Sequence, residues 1–228
     1  MKKKIIILSG GLDSVTLLHK IANKYGSENI KALTFDYGSK HNYMEIPMAR
    51  ENCLALNISH KIINLTSVFR NFKSALLNHK NSEKIPEGHY EQLNMKKTIV
   101  PFRNGILLSI AVGFAETKNA NIIYYGAHSG DHTIYPDCKP EFEKAFSLAA
   151  YLGTMNKIQI KAPFNNINKT KIIRIGNHLG INYGLTWTCY NPQNGKACGK
   201  CGSCQERLEA FKNNSMEDPL NYITKKLI

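Results

Sequence analysis

No apolar run in this chain of 228 residues approaches the roughly 18 residues that a membrane-spanning helix needs, although 43% of its residues are hydrophobic. That shortfall excludes a helical membrane span and predicts a globular protein. The start, MKKKIIIL, is basic and then apolar, like a secretion signal. Its apolar stretch is too short for one, and glycines and an aspartate follow at once, so it reads as a buried first strand and the protein as cytoplasmic. Acidic residues are scarce, 17 against 30 Lys plus Arg, for a net charge of +13. Such a surplus suits nucleic acid or small polyanions such as ATP. The longest basic run is Lys2–Lys4, so there is no basic arm, and no stable nucleic-acid partner is expected. Internal repeats and low-complexity segments are absent too, which excludes a solenoid. A chain of this length forms a single domain, or one domain with a small appendage.

What is present alternates between short apolar runs and longer helical patterns. Strands are expected at Lys4–Leu8, Ile30–Asp36, His60–Leu65 and Asn121–Ala127. Between and after them the spacing predicts helices at Asp13–Tyr25, Glu45–Leu56, Val68–Asn78, Arg103–Glu116, Pro140–Tyr151 and Lys169–Leu179. Leu18, Ile21, Ala22 and Tyr25, for example, share one helical face. The 103–116 stretch is apolar almost all round and reads as a core helix. Residues 79–98 are polar with no period, either a functional lid or an inserted loop. Strands alternating with helices imply an α/β fold, a doubly wound parallel sheet covered on both faces. Ligands bind beyond the carboxyl ends of the strands in such sheets. Those ends carry SGGLDS, FDYGSKH and GAHSGDH.

SGGLDS, residues 9–14, follows the first strand and opens the first helix. Gly10 and Gly11 let the backbone come close to a ligand, the helix N-terminus favours an anion, and Ser9 and Ser14 add hydroxyls. Asp13 is either part of that site or an ordinary helix cap. The lysine that ends a Walker A loop and reaches the terminal phosphates is missing.

Six cysteines occur, at positions 53, 138, 189, 198, 201 and 204. The last four, Cys189, Cys198, Cys201 and Cys204, are interleaved with glycines, as tight turns between the thiolate ligands of one metal require. An iron–sulfur cluster is the rival, but its spacing asks for a further cysteine where Leu208 stands. Structural zinc is therefore expected, closed by four thiolates. Cys53 lies in a helical pattern and reads as a core residue, and Cys138 as uninvolved in metal.

SGGLDS matches the SGGxDS loop of the PP-loop, or N-type, ATP pyrophosphatases. FDYGSKHNYMEIP, VPFRN at 100–104, GDHTIYPDC at 130–138 and the cysteine cluster extend the likeness, and over nearly its whole length the chain resembles the QueC family. Two positions depart from the family's common form. Ser39 and Lys40 stand where Gln and Arg are frequent, and Phe102 where Gly is. The resemblance implies an adenine nucleotide alpha hydrolase-like domain over 1–185, with a small C-terminal four-cysteine, zinc-binding and helical segment over 186–228 packed on it. It implies cleavage of ATP between the α and β phosphates, which accounts for the missing lysine. It further implies conversion of 7-carboxy-7-deazaguanine and ammonia to a nitrile through two adenylations, with magnesium bridging the phosphates, in a homodimer. The ATP site is then expected at Leu8, Ser9, Gly10, Gly11, Leu12, Asp13, Ser14, Phe35, His41 and Asn104. Substrate contacts are expected from Arg103, His128, Asp131, His132, Tyr135 and Asp137, and chemistry at Asp13, Ser14, Arg103 and Asp131. Arg103 alternatively makes a structural salt bridge, and the His128–Asp137 group alternatively belongs to an ordinary turn. A ligase joining the activated acid to another amine, a tRNA-modifying relative and a zinc-stapled adaptor also remain open.

Overall fold

The structure, a computed structural model, describes residues 2–79, 82–89 and 92–227. β1 (Lys3–Ile7), β2 (Ile30–Asp36), β3 (Ser59–Asn64), β4 (Ala120–Tyr124) and β5 (Gln159–Lys161) form one sheet in the order β3-β2-β1-β4-β5. Every neighbouring pair is parallel. Ile5 and Ile6 show why the first strand reads as an unbroken apolar run. Both are fully buried, and they enter opposite cores. One core joins α1 (Leu12–Tyr25), α2 (Asn42–Ala55) and α6 (Lys169–His178) to the sheet through Ile6, Leu18, Cys53 and Ile172. The other joins α4 (Arg103–Thr117) and α5 (Pro140–Leu152) through Ile5, Leu108, Ala111 and Ala150. This is the doubly wound arrangement expected from the alternation.

Several expectations need correction. No helix runs from Val68 to Asn78, because α3 covers only Thr66–Phe69. Beyond it the backbone pairs with distant chain instead: Lys40 N–H donates to Leu76 O and Ala75 N–H to Lys97 O, both at 2.8 Å. Ala75, Leu76 and Leu77 are buried by that pairing, a tertiary interaction that overrides local helical preference. The α4 helix is not buried all round, since Gly105, Leu107, Leu108, Ala111 and Ala115 face the core while Ile106, Ile110 and Phe114 are only part-buried. Residues 93–117 do not form one continuous helix. A 3-10 turn at Leu93–Thr98 and an extended Ile99 precede α4, whose 15 residues span roughly 22 Å, short of the hydrocarbon thickness of about 30 Å. Phe102 caps α4 with φ of 50°, a left-handed conformation that glycine adopts without strain. That is a physical reason for the glycine common at this position in the VPFRN motif.

The described parts of 79–98 are docked, with Ile85 and Met95 in the core and Gly88 N–H donating to Lys200 O at 2.9 Å. Residues 80, 81, 90 and 91 of that stretch lie outside the described residues. The strand β5 was not foreseen, and the helical part expected within 186–228 is α7 (Gly202–Lys212). The first is a three-residue strand with a single buried side chain, Ile160. The second is capped by Cys201, contains Cys204 in its first turn and buries residues on most of its surface.

The α7 helix is tied down by Arg207, which is wholly buried. Its guanidinium donates to both carboxylate oxygens of Asp218 (2.7 and 3.0 Å), to the hydroxyls of Thr186 and Thr188 (2.8 Å each) and to Tyr183 O (3.0 Å). Tyr222 Oη donates a further bond to Asp218 at 2.6 Å. Removing one member of a buried ion pair leaves the other charge uncompensated. Arg207→Met should therefore lower the unfolding free energy by about 3–5 kcal/mol, measured by urea titration. A loss below about 1 kcal/mol, the scale of an exposed pair, would mean that Asp218 finds other partners.

Candidate active site

The strand order turns back on itself at β1, with β2 on one side and β4 on the other. A crevice opens at such a switch point, beyond the carboxyl ends of the strands. The loop after β1 enters it under tight constraint. Gly10 has φ of +98°, and a Cβ there would fall 2.1 Å from the carbonyl oxygen of Glu45 in α2. Across the crevice a Cβ on Gly126, after β4, would lie 3.2 Å from Ser14 N. Ser14 Oγ accepts from Ser9 N–H (3.2 Å) and Gly10 N–H (3.3 Å) and donates to Gly11 O (3.1 Å). The loop is thus held in shape by its own serine. The amides of Leu12, Asp13 and Ser14 precede the first helical bond, Val15 N–H to Gly11 O, and are left for an anion.

Asp13 is not a cap. The N-cap is Gly11, with no side-chain bond, and the Asp13 carboxylate lies 3.4 Å from Lys169 Nζ and 3.7 Å from His128 Nε2. Lys169, at the start of α6, also pairs with Glu206 of α7 at 2.6 Å. Burial works against the lysine's charge, but Asp13 and Glu206 outweigh it and raise its pKa. His128 accepts Gly130 N–H at Nδ1 (3.0 Å) and turns Nε2 toward Asp13, Glu206 and Asp131, all within 3.8 Å. A cation thus stands beside the glycine loop after all, delivered from a helix more than 150 positions away in the sequence.

The other half of the crevice is lined by Tyr37, His41, Glu45, Arg103, Asn104, Tyr125, Tyr135 and Cys138. Arg103 donates to Tyr37 Oη at 3.3 Å and lies over its ring, 5.7 Å from the centroid. Burial, with a smaller push from Arg103, lowers the His41 pKa to about 3. Burial raises the Glu45 carboxyl to about 8, although Arg103 opposes the shift. Three buried polar atoms on this lining, Asp13 Oδ1, His41 Nδ1 and Tyr125 Oη, make no hydrogen bond within the protein. The cavity with its open mouth encloses about 1170 Å³. Its lining joins the glycine loop at one end to the Arg103, Tyr125 and Tyr135 side chains at the other.

Leu8, Ser9, Gly11, Asp13, Ser14, Phe35, His41, Arg103, Asn104, Asp131 and Tyr135 of the anticipated site all line this cavity. The remaining anticipated residues do not. Gly10 acts through its backbone contact with α2, and the Leu12 side chain is core. His128 stands behind Asp13, and His132 is off the lining, with its Nε2 buried and unbonded. Asp137 instead caps α4, accepting Asn104 N–H at 2.8 Å, and Asn104 in turn bonds Cys138 Sγ at 3.1 Å. Sequence reasoning missed Glu45, Lys169, Glu206, Tyr37, Tyr125 and Tyr190. Glu45 had a usable signal, four residues after His41 on a helix that leaves a strand end. Lys169 had none, because a lysine in a first helical turn is ordinary.

The sulfur atoms of Cys189, Cys198, Cys201 and Cys204 lie within 4.8 Å of one another, and all four residues are buried. Zinc with Zn–S bonds of about 2.3 Å sets sulfurs roughly 3.8 Å apart in a tetrahedron, close to the 4.0 Å between Cys198 and Cys204. Backbone N–H groups of Asn191 and Cys198 donate to Cys189 Sγ, and those of Lys200 and Cys201 to Cys198 Sγ, at 3.2–3.4 Å. Such donors favour thiolates. Cys53 and Cys138 are buried away from the cluster, and burial pushes the Cys53 thiol up to about 12.

The family described as queuosine biosynthesis protein QueC matches residues 3–215. The 7-cyano-7-deazaguanine synthase of Hahella chejuensis is 47% identical over 220 residues, 96% of this chain and 93% of that one. The protein of the same name from Pseudoalteromonas atlantica is 47% identical over 222 residues, 97% and 99% of the two chains. Among solved structures, NMN synthetase from Francisella tularensis superposes with a TM-score of 0.50 at 15% identity, covering 95% of this chain and 78% of its own. That likeness concerns the fold alone.

The raised Glu45 pKa links the site to stability. A carboxyl whose folded pKa exceeds its unfolded value contributes stability that is complete below the unfolded pKa of about 4.3 and lost as pH rises through about 8. Glu45→Gln removes that titration. The stability of the variant relative to the parent should therefore climb between pH 5 and 8, read from denaturation midpoints across the series. A constant difference would place the Glu45 pKa in the ordinary carboxylate range.

Proposed function

The chain belongs to the QueC family, and from that premise we propose that it makes 7-cyano-7-deazaguanine from 7-carboxy-7-deazaguanine and ammonia, using two ATP. The observation that carries this reading is a glycine loop without a Walker lysine, set at the switch point in one cavity with Arg103, Lys169, Tyr125 and Tyr135. The loop amides and Lys169 hold pyrophosphate, which leaves the α-phosphorus open to the substrate carboxylate. Arg103 holds that carboxylate, since its planar fork fits two oxygens. Adenylation turns one carboxylate oxygen into the AMP leaving group, and ammonia displaces it to give the amide. A second adenylation activates the amide oxygen, and loss of a proton and AMP gives the nitrile. Tyr125 and Tyr135 face the flat base. The relatives' name favours the nitrile over a conjugating ligase or a tRNA-modifying enzyme.

Magnesium fits beside Asp13 and Asp131, because the unbonded Asp13 Oδ1 is a hard oxygen donor at the phosphate end. When bound, it neutralises phosphate charge. Zinc fits the four thiolates with no open position, and so organises the chain rather than reacting. We assign 1–185 to the catalytic domain and 186–228 to the zinc-binding segment packed on it. The enzyme acts in the cytoplasm on small molecules and not on nucleic acid. It pairs with a second copy, for which the exposed Phe102, Leu148, Leu152 and Met155 supply apolar surface.

With the deazaguanine acid, ATP should yield AMP and pyrophosphate, read by phosphorus NMR; ADP as product would sink the reading. Lys169→Met should cut kcat/KM for ATP by about 10²–10³-fold, the scale for one preorganised charge-stabilising donor, and Lys169→Arg should recover part of it. Elemental analysis of protein purified without added metal should find one zinc per chain. Stoichiometric iron with sulfide would replace zinc by a cluster.

A further inference from the structure

Both nitrogen steps of this reaction release a proton inside a cavity that Arg103 and Lys169 make electropositive, and the residues assigned so far hold phosphate and carboxylate. We propose that Glu45 is the general base that takes the proton from nitrogen in both steps, an inference that rests on the proposed reaction. In the first step the lone pair of ammonia forms the C–N bond. The C–O bond to AMP breaks with its electron pair, and a nitrogen-bound proton passes to the Glu45 carboxylate. In the second, O-adenylation with loss of one N–H proton leaves the imidate C(=NH)–O–AMP, which gives its remaining N–H proton to Glu45. The electron pair of that bond completes the C–N triple bond as AMP leaves with the C–O pair.

The position of Glu45 follows from the contact that forces Gly10 to be glycine. That contact pins the α2 backbone at Glu45 against the loop. It sends the side chain into the cavity, with Oε1 reaching to 3.7 Å from where a Cβ on Gly11 would stand. The carboxylate is 12% exposed, so an abstracted proton is shielded from bulk solvent. The groups facing it are His41 on its own helix, Tyr37 after β2, Arg103 on α4, Tyr190 from the C-terminal segment and Asp13 across the loop. His41 Nε2 is 3.6 Å from Oε2, and a ring whose pKa is about 3 is too weak a base to compete. Tyr37 is held as a phenol by burial. Asp13 and Asp131 also line the cavity, but Lys169 and His128 sit against them. A base works best when its pKa lies near the operating pH, as the value of about 8 for Glu45 does.

The test starts from the amide, with ATP and without ammonia, so that ammonium does not titrate. Parent enzyme should make nitrile at a rate that rises with pH through about 8. Glu45→Gln should lose that limb and slow by about 10²–10⁴-fold, the usual range for general-base catalysis. Release of pyrophosphate in a single adenylation of the acid, measured on the same preparation, should fall far less. Glu45→Asp should keep a limb displaced in pH. Equal losses in both half-reactions, or a pH-independent parent rate between pH 6.5 and roughly 9, would overturn the assignment, and the parent profile decides even if the variants fold poorly. A parent enzyme that makes no nitrile from the amide would instead overturn the proposed reaction.

Discussion

A Cβ at residue 10 would stand 2.1 Å from the carbonyl oxygen of Glu45, and most of the site follows from that contact. It draws the loop after β1 onto the second helix, so the amides at the start of α1 and the Glu45 carboxylate open into one cavity. Gly126 completes the constraint from β4, lying against Ser14. Two backbones and a helix N-terminus converge where the strand order turns, without a side chain between them. The serines of the loop then bond one another rather than a ligand. The loop is preorganised, and the donors it leaves open are those of the helix.

Around that point the charges fall into two groups with different tasks. Lys169 is held by Asp13 and Glu206, and His128 lies among three carboxylates, at the phosphate end. Arg103, with Tyr37, His41 and Glu45, forms the other end. The first group presents a fixed cation from α6 where a Walker loop would carry its own lysine. Its geometry depends on tertiary structure, so it survives only while α1, α6 and α7 keep their contacts. The second group mixes one guanidinium with residues that burial keeps neutral near pH 7, which is the setting in which a proton can move.

The alternation of strands and helices was legible because both faces of the sheet are covered, so β1 reads as an apolar run through Ile5–Leu8 and β2 as an apolar-rich one. Ile30–Asp36 was placed to the residue. The glycine loop and the four cysteines were legible because their spacing is local. What failed was non-local. The 68–78 helix was lost to pairing with residues 39–40 and 97, partners that no local window contains. Asp137, expected as a substrate contact, accepts Asn104 N–H at the start of α4, a contact that only the fold brings about. Lys169 was invisible for the same reason. β5 was missed because three residues at a sheet edge carry no period.

The C-terminal segment joins these local and non-local parts. Cys201 and Cys204 flank the start of α7, Ser203 between them lines the cavity, and Glu206 two residues on grips Lys169. Arg207 anchors the same turn to Thr186, Thr188 and Asp218. The seven residues from Cys201 to Arg207 therefore carry two cysteines of the cluster, a cavity wall, the partner of Lys169 and a fully buried ion pair. A structural metal held by four thiolates supplies on the order of 10 kcal/mol to local folding, the scale needed to hold such a segment against the cost of burying its charges. The cysteine cluster meets the cavity through that segment, and none of its four cysteines lines the cavity. The structural path from the cluster to the cavity runs from Cys204 along α7 to Glu206 and across the ion pair to Lys169.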